Sequence, residues 1–394
     1  MRATALTPVA HWLTTKFSLE SPTMPNFFSL ISLAAWFAGS VALLVTLLLV
    51  VSQGWHGHYS MDSTQGVQKF HVHPTCRVGG IGIVTGVVAA HLMVDFDKNS
   101  LLGPLIVASI PAFAFGLLED ITKRVSVRTR LLATMSSGVL GWAITGYSIT
   151  YANVWGLDWL LGFTVVSVAF TAFAVGGIAN ALNIIDGFNG LSGGTALIIL
   201  VALAFLSTIL GDELLATTIL ILASAVVGFF MVNWPMGKIF LGDGGAYFLG
   251  FVIAWLAVLL LQRHNEVSAW APLLICGFPI IEVLLSIVRR HRRKVSLGAP
   301  DRLHLHSLVK CRLVPRLLPR SSTLVRNSAT GALMWLANLL PVAIALQWRN
   351  NTLMLILGFA VCVLLYSAFY VRLTQFRWCF SPATIAAATA SKAI

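Results

Sequence analysis

Apolar stretches close to the length that crosses a lipid bilayer recur along this chain, and that repetition leaves few folds open. A spanning helix needs about 20 apolar residues. Eleven stretches qualify, at 28–51, 80–94, 101–118, 131–150, 160–180, 194–210, 214–232, 245–262, 268–288, 329–347 and 352–371. The second and sixth are short. Only 10% of the 394 residues are charged, against about 25% in a soluble domain. The expected fold is therefore an all-α polytopic membrane protein of about eleven transmembrane helices.

Lys and Arg set the expected orientation. With the N-terminus outside and the C-terminus cytoplasmic, the cytoplasmic segments collect 21 of the 26 Lys and Arg. That is the positive-inside bias. The net charge of +12 then reflects topology and one basic loop, 289–328. No nucleic-acid module accompanies it. The five cysteines, Cys76, Cys276, Cys311, Cys362 and Cys379, fall in spans or on the cytoplasmic side, so no structural disulfide is expected. Without a Cys-x-x-Cys pair they do not suggest zinc either.

Three segments follow from this layout: an external stretch at 1–27, a transmembrane domain at 28–375 and a cytoplasmic tail at 376–394. Residues 1–23 are polar and lack an apolar core, and the first span lacks a small-residue cleavage signal. It reads as a retained helix. Met24 lies just before it, and residues 1–23 are expected to be dispensable.

The polar residues gather in the cytoplasmic loops. The first loop ends Lys69-x-His71-x-x-Pro74-Thr75-x-Arg77-x-Gly79-Gly80. It joins cations to a glycine pair that opens the next helix, where backbone amides could face an anion. A charged membrane-flanking turn would read the same way. The second loop begins Glu119-Asp120 and continues through Lys123, Arg124, Arg128 and Arg130. Adjacent carboxylates at a membrane surface are costly unless they hold a cation or a proton, although a salt-bridged helix face is the plainer reading. In the fourth loop, Asp243 stands between Gly242 and Gly244-Gly245, with Lys238 nearby. A carboxylate among glycines suits a hard cation that also takes phosphate ligands; an Asp helix cap is the alternative.

The stretch Asn180–Gly194, NALNIIDGFNGLSGG, places Asn180, Asn183, Asp186 and Asn189 three apart. Residues at that spacing share a helix face, so the first three can line one edge of a helix end. Gly187 and Gly190 then let the backbone approach a ligand. The basic loop contains Asp301-Arg302-Leu303-His304-Leu305-His306. Its Arg and His suit phosphate clamping better than zinc. If the segment is extended, both His face one side. Upstream, Arg289 to Lys294 abut a span and read as a topology signal or a contact for anionic lipid. Glu282, inside a span, is a functional candidate or a partner for a nearby Arg.

Seven of the fourteen carboxylates lie on or near the cytoplasmic side: Asp62, Glu119, Asp120, Asp186, Asp243, Glu282 and Asp301. All but Asp62 fall in or beside these motifs. Outer carboxylates such as Asp95, Asp97 and Glu266 show no such surroundings. The chemistry is expected on the cytoplasmic face.

The ordered set of motifs resembles the polyprenyl-phosphate N-acetylhexosamine-1-phosphate transferases of glycosyltransferase family 4. That group includes the lipid I translocase of peptidoglycan synthesis and the initiating transferases of O-antigen-type glycans. The resemblance covers roughly residues 28 to 375. It is carried by Lys69 to Gly80, Glu119-Asp120, Asn180 to Gly190, Phe240 to Gly245 and Asp301 to His306. Three departures stand out. Glu119 replaces the common Asp. Asn189 replaces a frequent Asp and is a poorer metal ligand. His304-Leu305-His306-Ser307 replaces the run of three His of the peptidoglycan enzyme. The last two favour the O-antigen-type branch.

The resemblance implies transfer of N-acetylhexosamine-1-phosphate from a UDP-sugar to undecaprenyl phosphate, with release of UMP. Such transfer needs positioning and charge neutralisation. Mg²⁺ is the expected cofactor, with Mn²⁺ as an alternative, held by Asp243 and Asp120. The expected catalytic residues are Glu119, Asp120, Asp186 and Asp243. Lys69, His71, Arg77, Asn180, Asn183, Asn189, Lys238, Arg302, His304 and His306 are expected to bind substrate. The partners are undecaprenyl phosphate, the UDP-N-acetylhexosamine and membrane lipid, not nucleic acid, and a homo-oligomer is open. The expected location is the bacterial cytoplasmic (inner) membrane, with the site facing the cytoplasm. The peptidoglycan translocase is the alternative within the family. A polytopic transporter is the alternative of another class, but no paired interrupted helices lie at the midplane. A membrane metalloprotease would need a His-Glu-x-x-His motif, which is absent.

Overall fold

The structure, a computed structural model, describes residues 32–62, 75–93, 100–294, 301 and 303–375. The described chain is almost wholly helical. In order it forms α1 (Leu33–Val51), α2 (Gln53–Ser60), β1 (Met61–Asp62), β2 (Thr75–Cys76), α3 (Gly79–Met93), α4 (Leu102–Thr122), α5 (Val127–Thr145), α6 (Leu157–Leu161), α7 (Thr164–Ile185), α8 (Leu191–Ile209), α9 (Glu213–Asn233) and α10 (Gly242–Arg263). There follow α11 (Trp270–Ile275), α12 (Gly277–Arg292), α13 (Leu305–Leu308), a π-helical turn (Val309–Leu313), α14 (Val314–Leu317), α15 (Thr323–Gln347) and α16 (Thr352–Thr374).

Eight of these helices are long and apolar enough to cross a membrane: α1, α4, α7, α8, α9, α10, α15 and α16. This is the all-α polytopic membrane fold expected from the apolar stretches. The remaining three stretches are helical too, but differ. Helix α3 is shorter, at 15 residues. Helix α5 opens with Val127-Arg128-Thr129-Arg130, which dilutes its apolar character. The stretch at 268–288 is broken into α11 and α12, with Cys276 between them.

Helix α10 is the centre of the bundle. Every residue from Gly242 to Leu261 is buried, and a helix apolar on all sides belongs in such a position. It packs against α3, α4, α5, α7 and α8. Small residues allow the close approach that association in lipid relies on. A Cβ on Gly80 of α3 would lie 2.4 Å from the backbone of Gly245. Helix α16 has few buried residues and packs against α11, α12 and α15.

The segment after α9 ties the loops together at one end. Phe240 N donates to the Cys76 carbonyl at 2.8 Å, while Gly79 N and Gly80 N donate to the Phe240 and Leu241 carbonyls, each at 3.0 Å. The amides of Gly79 and Gly80, expected to face an anion, are therefore spent on the chain itself. Asn233 joins two further segments: its Oδ1 accepts from Gly190 N at 2.8 Å and its Nδ2 donates to the Ile239 carbonyl at 2.7 Å. At the opposite end, Asp212 caps α9 through Leu215 N and pairs with Arg263 and His264. His264 also meets Glu266 at 3.2 Å, so Glu266 has a partner that the sequence did not suggest.

Candidate active site

Asp243 occupies the first turn of α10, 6% exposed. The turn that delivers it depends on Gly242, whose φ is +76°. A Cβ there would fall 1.8 Å from the Arg77 carbonyl, so only glycine fits. Three neighbours share the Asp243 carboxylate. Arg77 Nη2 donates to its Oδ1 at 3.0 Å and Asn183 Nδ2 to the same oxygen at 3.1 Å. Arg130 pairs with its Oδ2. Segments distant in sequence thereby meet on one carboxylate.

Asp120 is buried beneath this group, 1% exposed. Its Oδ1 accepts from Asp243 N at 2.9 Å and its Oδ2 from Gly244 N at 2.8 Å. The carboxylate sits on the free amides at the start of α10, where negative charge is favoured by both hydrogen bonding and the helix dipole. Arg77 Nη2 is a further 3.6 Å from Asp120 Oδ1. The capping role considered for Asp243 thus falls to Asp120. Glu119 turns the other way: its Oε2 accepts from Val125 N at 2.7 Å and shapes the turn between α4 and α5. The acidic pair is divided between two jobs.

Asp186 ends α7 as its C-cap and is half-buried. Among the described residues no hydrogen bond or ion pair reaches its carboxylate. Its enclosed position pushes the carboxyl up to about 7, against the opposing pull of Arg77. Asn183, three residues earlier, is also half-buried, as is Asn180. Asn189 departs from this group. It is buried, its amide donates to Ser328 Oγ of α15 at 3.4 Å, and its side chain fills the space beside Gly237. That placement makes Asn189 a staple between segments, not the ligand-facing group expected from the spacing. Lys238 is exposed on the loop before α10. Lys69, His71 and Arg302 lie outside the described residues.

The histidine loop closes over the Asp186 turn. The His304 and His306 rings stack, 5.3 Å apart and 8° from parallel, and His306 meets Phe188 edge-on at 5.6 Å. A Cβ on Gly187 would lie 3.3 Å from His306 Nε2. The two rings do share a side, but not because the segment is extended: His304 caps α13 and His306 lies within it. Both are buried, and burial pushes the His306 imidazole down to about 4. Near neutrality it is an uncharged ring, so it would meet phosphate as a hydrogen-bonding group and not as a cation.

Charged groups brace the loop. Asp301 pairs with Arg289 and, at 3.5 Å, with Arg290. Burial alone would raise its carboxyl, but Arg289 and the Leu303 amide overcome that and hold it at about 2. Glu282 is fully buried and bonds His304, the Leu305 amide and Tyr366, so of the two readings open from sequence, the pairing with a nearby Arg is not the one its hydrogen bonds make. Arg130 and Tyr366 are the residues that motif reading passed over. Arg130 looked like one of several flanking cations, and no spacing rule links Tyr366 to Glu282, 84 positions away.

Known proteins resemble this chain over part of its length. Residues 102–261 match the family model of glycosyl transferase family 4. Among curated relatives, the probable undecaprenyl-phosphate N-acetylglucosaminyl 1-phosphate transferase of Bacillus subtilis (strain 168) is 29% identical over 240 residues, covering 61% of this chain and 66% of the relative. The undecaprenyl-phosphate alpha-N-acetylglucosaminyl 1-phosphate transferase of Escherichia coli (strain K12) is 26% identical over 278 residues, covering 68% and 74%. The decaprenyl-phosphate N-acetylglucosaminephosphotransferase of Mycobacterium tuberculosis (strain ATCC 25618 / H37Rv) is 28% identical over 270 residues, covering 60% and 65%. The matched stretches thus span about two thirds to three quarters of these relatives' lengths.

Proposed function

Taking as premise that this chain belongs to glycosyl transferase family 4, we propose that it transfers N-acetylhexosamine-1-phosphate from a UDP-sugar to undecaprenyl phosphate and releases UMP. The product would start a lipid-linked surface glycan, such as O-antigen, at the cytoplasmic face of the inner membrane. The observation that carries this reading is the meeting of Arg77, Arg130 and Asn183 on Asp243, with Asn183 on the helix that ends at Asp186, whose turn the histidine loop contacts at Phe188. Cations, amides and carboxylates at one end of a lipid-embedded bundle suit a reaction between two phosphates, one of them on a membrane-bound carrier.

The donor set also suits Mg²⁺, with Mn²⁺ as an alternative. Among the described residues no cluster of three or more His, Cys, Asp or Glu is placed to hold a metal. Mg²⁺ needs no such cluster, since it binds through one or two carboxylates and takes substrate phosphates and water for the rest. Asp186, whose carboxylate accepts nothing from the described residues, is the readiest ligand; Asp243, expected as the leading one, would join it as Arg77 and Arg130 release its oxygens to face the substrate phosphates. Asp120, expected as a ligand, already gives both oxygens to helix amides; it serves the site by fixing where α10 begins. When bound, the ion would neutralise phosphate charge and orient the reacting groups.

The chain's own residues supply the remainder. Arg77 and Arg130, each already beside a carboxylate, can turn their guanidinium forks toward a diphosphate. His306 offers an uncharged ring nitrogen near the Asp186 turn. The lipid phosphate, with a second pKa of about 6, is largely ionised near neutrality, so orientation matters more than a strong base.

The test is direct. Detergent-solubilised protein is incubated with undecaprenyl phosphate, Mg²⁺ and a panel of UDP-N-acetylhexosamines labelled in the sugar. Label in the lipid extract with release of UMP is the expected result. No lipid label with any sugar, or release of UDP, would overturn the proposal.

A further inference from the structure

Glu282 lies in α12, two helical turns before the first arginine of the basic run, and no atom of its side chain reaches the Asp243 group among the bonds described above. Its carboxylate is nonetheless the acceptor for donors from two other parts of the chain. His304 Nδ1 lies 2.9 Å from Oε1. The Leu305 amide donates to both oxygens at 3.2 Å. The Tyr366 hydroxyl, from α16, donates to Oε2 at 2.7 Å. Glu282 is 0% exposed, so water does not compete for these bonds.

A carboxylate only accepts, so the proton shared with His304 sits on Nδ1. That assigns the tautomer and the ring plane together. The far nitrogen, Nε2, then faces the Asp301 side, 3.8 Å from its Oδ2. Because the His304 and His306 rings stack within 8° of parallel, the orientation of one is passed to the other. His306 in turn rests on Phe188 and beside Gly187. A continuous set of contacts therefore runs from Tyr366 through Glu282 and His304 to the turn that carries Asp186.

We propose that Glu282 and Tyr366 are positioning residues: together they set the tautomer of His304 and hold the paired histidine rings against the Asp186 turn, where the donor diphosphate is handled. The proposal rests on the phosphotransfer reading above. It gives a function to α16, which lies outside the stretch matched by the family model.

A purely packing role makes a different prediction. Glu282→Gln preserves shape, but its amide presents a donor to His304 Nδ1, which moves the imidazole proton to Nε2. The comparable carboxylate-to-amide change in a Ser-His-Asp triad leaves geometry intact and inverts the tautomer, with a large loss of rate. Protein labelled with ¹⁵N-histidine reports the tautomer in detergent, and His304→Gln assigns the resonance. Glu282→Gln is expected to switch the His304 tautomer and to lower kcat/KM for the UDP-sugar by about tenfold or more, with KM for undecaprenyl phosphate unchanged. Tyr366→Phe, which deletes one hydrogen bond, is expected to lower the same ratio by about three- to tenfold.

An unchanged His304 resonance in Glu282→Gln would overturn the proposal, as would wild-type kcat/KM with a switched tautomer. Should Glu282→Gln fail to fold, Tyr366→Phe decides: wild-type kinetics there would overturn it. A wild-type protein that labels no lipid sinks the functional reading separately, since the resonance still reports whether Glu282 sets the tautomer.

Discussion

Asp120 holds the start of the helix that carries Asp243. Its two oxygens accept from the amides of Asp243 and Gly244 at 2.9 and 2.8 Å, so one carboxylate determines where the other points. The two residues are 123 positions apart and would be interchangeable on charge alone. Asp120→Asn turns one acceptor into a donor facing an amide. A buried amide left unpaired costs about 1–3 kcal/mol, so this variant should unfold several degrees below wild type in a detergent thermal melt as well as losing activity. Asp243→Asn should lose Mg²⁺-dependent turnover with a smaller thermal shift. Equal melts for the two variants would contradict the division of roles.

Glu119 supports the turn after α4 through Val125 N. Glu119→Gln keeps an acceptor on a side chain of the same length and should hold kcat within about threefold of wild type. Glu119→Ala removes the bond and should fall further, by up to about tenfold. Glu119→Asp restores the pair common in the family and should remain active, although the shorter side chain loosens the turn. Abolition of turnover by Glu119→Gln would mean that the charge itself takes part in the reaction.

His306 has a depressed folded-state pKa, about 4 against 6.5. Between those values the unfolded chain binds the extra proton, so the His306 contribution makes stability rise with pH across that window. Above about pH 6.5 both states are neutral and the penalty vanishes. His306→Asn removes the effect. The gap between its unfolding temperature and that of wild type should therefore shift in favour of the variant as pH falls from 6.5 toward 4. A gap independent of pH would show that the ring is not held neutral.

The basic run at the end of α12 is not uniform. Arg289 and Arg290 pair with Asp301, whereas Arg292 and Arg293 are exposed. Exposed charges contribute little individually. Arg289→Ala should lower kcat/KM for the UDP-sugar by about tenfold, the scale of one charge-assisted hydrogen bond, and Arg292→Ala by less than about twofold. Measured together in one detergent assay, equal losses would indicate a diffuse positive field with no residue-specific bracing.

Hydropathy alone determined that the chain is a helical membrane protein, because lipid demands long apolar helices and their length is visible in one dimension. The candidate site residues were legible for a related reason. Carboxylates and amides are costly beside apolar spans, so Asp243, Asp186 and Asn183 stand out. What those residues touch was not legible. Arg130 reads as one flanking cation among several until it is seen paired with Asp243. Asn189 shares the three-residue spacing of Asn183, yet the chain turns at Gly187 and Gly190, and a face defined on a helix does not persist beyond its end. Gly79 and Gly80 looked like an anion-binding helix start, but the Phe240 and Leu241 carbonyls take their amides. Glu282 and Tyr366 meet only because α12 and α16 pack side by side. Sequence patterns report periodicity within an element, whereas the partner of a buried polar group is decided by which elements become neighbours, and only the tertiary structure specifies that.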